Sequence, residues 1–134
     1  MTQRLLALVL TIVTLFSGLS LGVDEKPWSF IVFGDSRGGV LTADGFNKRI
    51  MRELAEETIR KKVDFVVFTG DLVVGFGSEK TLEKQLTAWR SVMEPVYDAG
   101  IKVYAVRGNH DDGDGGSAWK RVFSGRYALP DNGP

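Results

Sequence analysis

Residues 101–111 are Ile-Lys-Val-Tyr-Ala-Val-Arg-Gly-Asn-His-Asp, an apolar run that ends in glycine and three polar side chains. Two earlier apolar runs, Trp28–Phe33 and Val63–Phe68, are each followed within three residues by Gly-Asp. Short runs of this kind, rich in β-branched and aromatic residues, predict strands that are buried on both faces, as in parallel sheets. Because longer helical patterns separate the runs, the sequence predicts an α/β fold with the order β-α-β-α-β.

The two helical patterns between the runs are amphipathic. Gly100 should end the second helix, Pro95 should kink it or mark its last turn, and a short helical piece is expected over Ser117–Phe123. The apolar positions that recur near helical spacing are Phe46, Ile50, Leu54 and Ile59 in the first pattern, and Leu82, Leu86, Trp89, Met93 and Val96 in the second.

Residues 1–22 differ in character from the rest of the chain. Arg4 is followed by an uncharged, mostly apolar run and then by small residues, which is typical of a secretory signal peptide. The sequence therefore predicts an exported protein, periplasmic or secreted, with no stable membrane anchor after cleavage. The alternative is an uncleaved N-terminal membrane anchor, since the uncharged run from Leu5 to Val23 has almost the length that spans a bilayer.

Composition excludes several function classes. The chain has 134 residues, and its 17 Lys and Arg balance its 17 Asp and Glu. There is no excess of positive charge to bind a nucleic acid backbone. Without cysteine there is no disulfide framework, thiol nucleophile or cysteine-ligated metal. Residues 23–134 are expected to form one globular domain.

Polar side chains follow all three predicted strands. The segments are Gly34-Asp35-Ser36-Arg37, Gly70-Asp71 and Gly108-Asn109-His110-Asp111. Because ligands bind beyond the carboxyl ends of parallel strands, we expect these side chains to lie in one crevice. Oxygen ligands with a nearby imidazole suit Mn, Mg, Zn or Fe.

These segments resemble the signature of the calcineurin-like metallophosphoesterases, which is GD-x-H, GD-x-x-D and GNH-D/E after successive strands. The resemblance covers most of the chain after residue 27, and GNHD at 108–111 is its most specific element. It implies a four-layer α-β-β-α sandwich, two divalent metal ions and a phosphate-ester substrate. The implied activity is metal-dependent phosphoester hydrolysis, in which a metal-activated water attacks phosphorus.

The resemblance also implies a role for each polar side chain. Asp35 would bind the first metal, and Asp71 would bridge both metals. Asn109 would bind the second metal and contact the substrate. His110 would be the catalytic residue that contacts the substrate and protonates or steadies the leaving oxygen. Asp111 would orient His110, with a minor metal role as the alternative.

Two departures from the family pattern concern single positions. Arg37 stands where the family has a metal-binding histidine, and a guanidinium has no lone pair for a metal. We expect Arg37 to bind a phosphate oxygen of the substrate instead, with an ordinary surface arginine as the alternative. Val74 stands where the family often has an acid, so residues 73–77 are expected to form a glycine-rich turn without ligands.

The largest departure is that His110 is the only histidine of the chain. The family's later histidine ligands, including GH-x-H, are absent from this sequence. We therefore expect the N-terminal portion of a truncated domain, with half of the sandwich and weak or no activity as a separate chain. A sheet face without its partner layer would be open to self-association.

Two other functions are alternatives to phosphoester hydrolysis. Gly34-Asp35-Ser36 resembles the first block of GDSL-type serine esterases, in which Ser36 would be the nucleophile. That class needs an Asp-x-x-His near the carboxyl end, which the sequence does not contain. The other alternative is a truncated remnant without catalytic activity. A chelator should abolish metal-dependent hydrolysis and spare a serine esterase.

Overall fold

The computed structural model describes residues 27–39, 42–113 and 115–130. It contains three parallel strands, β1 (Phe30–Phe33), β2 (Phe65–Phe68) and β3 (Lys102–Ala105), in the order β1-β2-β3. The strands are in register, so that their last residues are neighbours across the sheet. The predicted α/β fold with its parallel β-α-β-α-β order is confirmed. The predicted signal peptide lies outside the described residues.

Among the described residues, three helices accompany the sheet. They are α1 (Lys48–Lys61), α2 (Glu79–Asp98) and α3 (Ser117–Val122), and short 3-10 turns cover Asn109–Asp111 and Gly125–Tyr127. The amide of Ile50 in α1 donates to the side chain of Asn47, and that of Thr81 in α2 donates to Ser78. These contacts satisfy amides that the first turn of a helix leaves without partners.

The hydrophobic core lies between the helices and one face of the sheet. The apolar face predicted for α2 is confirmed, and Trp89 at its centre is fully buried. Pro95 lies in the last turn of α2, as one of the two expectations had it. From the sheet, the core takes the alternate residues Ile31, Phe33, Val66, Phe68, Val103 and Ala105.

The expectation that the strands are buried on both faces is wrong for β1. Phe30 and Val32 point away from the helices and are 47% and 53% exposed. The reason is that the described helices pack on the other face of this sheet. Phe65 of β2 shares this outer face but is buried, because the rings of Trp28 and Phe30 lie against it.

The predicted apolar face of α1 was also partly wrong. Its buried residues are Met51, Ala55 and Thr58, whereas Ile50 is 42% exposed. Thr58 is tolerated inside because its hydroxyl donates to the carbonyl oxygen of Leu54. Over the described part of the chain, none of the helices is both long and apolar enough to cross a membrane.

Candidate active site

The loops that follow the three strands are joined to one another by backbone hydrogen bonds. The pattern of the sheet thus continues one or two residues past the strands. As a result, the loops are held at the carboxyl edge of the sheet as one unit. The bonds run from the amides of Asp35, Thr69 and Val106 to the carbonyl oxygens of Gly70, Phe33 and Phe68, each 3.0 Å long.

Gly108 lets the second and third loops approach closely. A Cβ atom at this position would lie 2.2 Å from Oδ1 of Asp71 and 2.3 Å from its amide nitrogen. Any side chain here would push Asp71 out of its place. The absence of a side chain at Gly108 therefore allows the carboxylate of Asp71 to keep its position on the neighbouring loop.

Asp35 and Asp71 share an uncommon backbone conformation. Their φ angles are 50° and 57°, in the left-handed region that non-glycine residues seldom adopt. Such strain is characteristic of functional sites, where surrounding contacts hold it in place. The structure brings these two predicted ligands together at the edge of β1 and β2, in matching conformations.

The side chain of Arg37 lies between these carboxylates and His110. Its Nε donates to Oδ1 of Asp35 over 2.6 Å and is 3.7 Å from Oδ2 of Asp71. One terminal nitrogen of the guanidinium contacts Nε2 of His110. The hydrogen bond from Arg37 lowers the pKa of Asp35, and the same bond raises the pKa of Arg37.

His110 is held by the loop after β2. Its Nδ1 is 2.8 Å from the carbonyl oxygen of Val74, and the ring of Phe76 lies edge-on to the imidazole. Because a carbonyl oxygen only accepts, Nδ1 carries a proton. In the neutral ring, Nε2 is then the acceptor that faces Arg37. The amide of His110 also donates to Oδ1 of Asp71 over 3.2 Å.

Asp111 does not orient the imidazole, contrary to the expectation from the resemblance. Its carboxylate is fully buried and accepts from the amides of Gly108, Leu72 and Val73 at 2.9 to 3.2 Å. Both carboxylate oxygens of Asp111 already accept hydrogen bonds from these amides, which argues against the minor metal role. Burial raises its pKa. Asp111 instead ties the third loop to the second.

Asn109 begins the 3-10 turn next to His110 and is exposed. Its side chain makes no hydrogen bond to the residues that the structure describes, so its expected metal and substrate contacts stay predictions. The backbone of Val74 and the ring of Phe76, which hold His110, were not foreseen. The only signal in the sequence was the glycine-rich character of this loop.

The environment of Ser36 does not fit a nucleophile. Its Oγ donates to the carbonyl oxygen of Leu72 over 2.7 Å and accepts from Nε1 of Trp89 over 3.1 Å. The hydroxyl proton is therefore directed at a carbonyl and away from His110. A nucleophilic serine needs a base within hydrogen-bond reach, and the described residues provide none for Ser36.

A divalent cation suits the donors at this edge. Asp35, Asp71 and Nε2 of His110 all face one positive group, the guanidinium of Arg37, which stands in for a cation. Within residues 27–39, 42–113 and 115–130, no group of three His, Cys, Asp or Glu side chains is placed to hold a metal ion. Two carboxylates still fit an ion such as Mg²⁺, which keeps several waters and takes phosphate oxygens from the substrate.

A cavity of about 160 Å³ opens beside Asp35 and Arg37. Its wall is mostly apolar and is formed by α1 and the ends of β1 and β2. The apolar lining residues are Phe33, Ile50, Met51, Leu54 and Phe68.

Most of the chain matches one family of known proteins. Residues 29–133 match the family model described as calcineurin-like phosphoesterase. A search of curated proteins finds no match to this chain. The matched segment contains all three strands and the whole edge that carries Asp35, Asp71 and His110. The chain therefore belongs to the calcineurin-like phosphoesterase family.

Proposed function

We propose that the protein hydrolyses phosphate esters with the help of divalent metal ions at the edge formed by Asp35, Asp71 and His110. The observation that carries the proposal is that two carboxylates and an imidazole nitrogen face one cationic group at the carboxyl ends of the strands. The family typically uses divalent metals. This function also accounts for the left-handed backbone that Asp35 and Asp71 share.

The proposed metal ligands are Asp35, Asp71 and Asn109. Bound divalent ions would supply Lewis acidity toward the phosphoryl oxygens and a lowered pKa of water. Asp71 suits two ions because a carboxylate offers two oxygens. The described donors suit one ion at most, so the second ion is the part of the proposal that depends most on the family resemblance.

The proposed roles of His110 and Arg37 concern the substrate. Val74 holds the Nδ1 proton of His110, so proton exchange takes place at Nε2, which faces the site. The protonated ring donates from Nε2 to the leaving oxygen and becomes the neutral ring, whose Nε2 accepts a hydrogen bond. Arg37 is one third exposed, and its N–H groups become available to a substrate when its side chain leaves Asp35 and His110. With Asn109, it would bind the phosphate oxygens.

The apolar cavity beside Asp35 suits the organic group of a small ester. We therefore choose aryl phosphates, a monoester and a diester of p-nitrophenol, as test substrates. Because the described residues contain few metal donors, we expect turnover well below the roughly 10 s⁻¹ of ordinary enzymes. The assay must accordingly detect slow release of p-nitrophenol.

The test compares metal-stripped protein with and without Mn²⁺. We expect hydrolysis to appear with Mn²⁺, to disappear with EDTA, and to fall by about a hundredfold or more in Asp71→Asn. The matched control is Asp98→Asn at the far end of α2, which should leave hydrolysis unchanged. Hydrolysis that survives EDTA would contradict the proposal.

A further inference from the structure

The side chain of Arg37 contacts the same donor atoms that a metal ion would use. Its Nε is 2.6 Å from Oδ1 of Asp35 and 3.7 Å from Oδ2 of Asp71, and a terminal nitrogen contacts Nε2 of His110. One covalently attached positive charge thus contacts two proposed metal ligands and the catalytic imidazole. In this arrangement the charge of Arg37 offsets one of the two carboxylate charges without a metal ion.

A guanidinium and a divalent ion compete for these oxygens. The guanidinium has no lone pair and cannot become a ligand, and two positive charges at this separation repel each other. A metal ion that binds Oδ1 of Asp35 therefore replaces the hydrogen bond from Arg37. No proton and no electron is transferred in this exchange, since one set of electrostatic contacts replaces another.

We propose that Arg37 is a tethered competitor of the metal, and that divalent ions bind by displacing its guanidinium from Asp35 and Asp71. This inference rests on the proposed function, because it concerns the same metal ligands. It makes Arg37 a determinant of metal affinity. The internal cation lowers metal affinity, and in the metal-free site it offsets part of the carboxylate charge.

The backbone around Arg37 allows its side chain to move alone. Arg37 forms an antiparallel bridge with Phe46, which is fully buried, and the amide of Gly38 donates to the carbonyl oxygen of Gly45. The side chain itself is one third exposed. Displacement therefore requires rotation about side-chain bonds only, and substitution of the side chain should leave the fold intact.

The test is a calorimetric titration of metal-stripped protein with Mn²⁺. We expect Arg37→Ala to bind Mn²⁺ at least about tenfold more tightly than the native protein, because the competing charge is gone. Arg37→Lys keeps a positive charge and should fall between the two. The control is Arg49→Ala, which removes an exposed arginine paired with Glu53 on α1 and should leave the affinity unchanged.

Two results would overturn the inference, and they differ in what they say of the function. If the native protein binds Mn²⁺ and Arg37→Ala binds it no more tightly, the competition is refuted while metal-dependent hydrolysis stands. If neither protein binds Mn²⁺, both the inference and the proposed metal dependence fail. Binding by Arg37→Ala alone would support the inference in its strongest form, in which Arg37 excludes the metal.

A measurement on the native protein does not depend on how the variants fold. The Nε–H group of Arg37 is hydrogen-bonded to Asp35 and should give a slowly exchanging NMR signal in metal-free protein. Saturation with Mg²⁺, which is diamagnetic, should shift this signal and speed its exchange with water. A signal unchanged at saturating Mg²⁺ would refute displacement. The signal is assigned in the native protein from its through-bond correlations along the Arg37 side chain.

Discussion

The Nδ1 atom of His110 lies 2.8 Å from the carbonyl oxygen of Val74, so the loop after β2 decides which imidazole nitrogen faces Arg37. The contact joins the second and third loops, and it depends on a backbone atom. No substitution of the Val74 side chain removes that oxygen. Its position can be changed only by moving the loop.

Gly75→Ala should move this loop and lower phosphoester hydrolysis. The new Cβ would lie 1.7 Å from the carbonyl oxygen of His110, and the φ of Gly75 is +69°. Because a backbone atom cannot yield as a flexible side chain does, we expect at least about a tenfold loss of kcat. The measurement is release of p-nitrophenol with Mn²⁺.

Gly100→Ala is the matched control for Gly75→Ala. Gly100 has a similar φ of +74°, but its added Cβ would meet nothing within 4 Å. We expect it to lose about 1–2 kcal/mol of stability from backbone strain and to keep its activity. Equal losses of activity in both variants would show that strain alone, and not the position of His110, is responsible.

Ser36→Ala should keep hydrolytic activity and lose stability. The hydroxyl of Ser36 joins Trp89 to the carbonyl oxygen of Leu72, so its removal leaves the buried Nε1 of Trp89 without a partner. We expect a loss of about 1–3 kcal/mol in urea unfolding. A well-folded Ser36→Ala protein without activity would instead support the serine esterase alternative.

Asp111→Asn should destabilise the fold. The carboxylate of Asp111 accepts from three backbone amides, and an amide side chain would turn an N–H group toward one of them. We expect a loss of about 1–3 kcal/mol in the free energy of unfolding. Asp112→Asn is the control, since the exposed pair of Asp112 with Arg107 should contribute less than about 1 kcal/mol.

The raised pKa of Asp111 predicts that the stability of the fold depends on pH. Burial raises the pKa of Asp111 in the folded protein above the ordinary 3.8, so the folded state binds its proton more tightly than the unfolded chain. As the pH rises from 3.8 through the raised folded pKa, Asp111 ionises at a cost to stability. The native protein's free energy of unfolding, measured in urea, should therefore exceed that of Asp111→Asn by less as the pH rises. A difference that grew would contradict the assignment.

The sequence was sufficient to predict which loops meet. Parallel strands place their carboxyl ends at one edge, and this rule alone brings Asp35, Asp71 and His110 together. The sequence was not sufficient to predict which side chains contact one another at this edge. Whether Arg37 turns toward solvent or toward Asp35 depends on side-chain rotation, which no sequence spacing determines. The burial of Asp111 depends on amides from another loop.

Two errors in the fold have a similar origin. Ile50 follows helical spacing, and Val32 follows the pattern of a buried strand, yet both are exposed. Periodicity identifies a face that is apolar, but it does not identify the element that covers it. Among the described residues, helices cover only one face of the sheet. Which face is covered depends on the tertiary arrangement, which periodicity does not determine.

The hydrogen bonds that continue the sheet past β1 and β2 affect how the site unfolds. Since the amides of Asp35, Thr69 and Val106 are bonded across the sheet, opening the edge breaks hydrogen bonds of the same ladder that pairs the strands. These amides should exchange with solvent deuterium only through global unfolding, as core amides do. The site then has no local melting transition, and loss of activity in urea should coincide with loss of the fold.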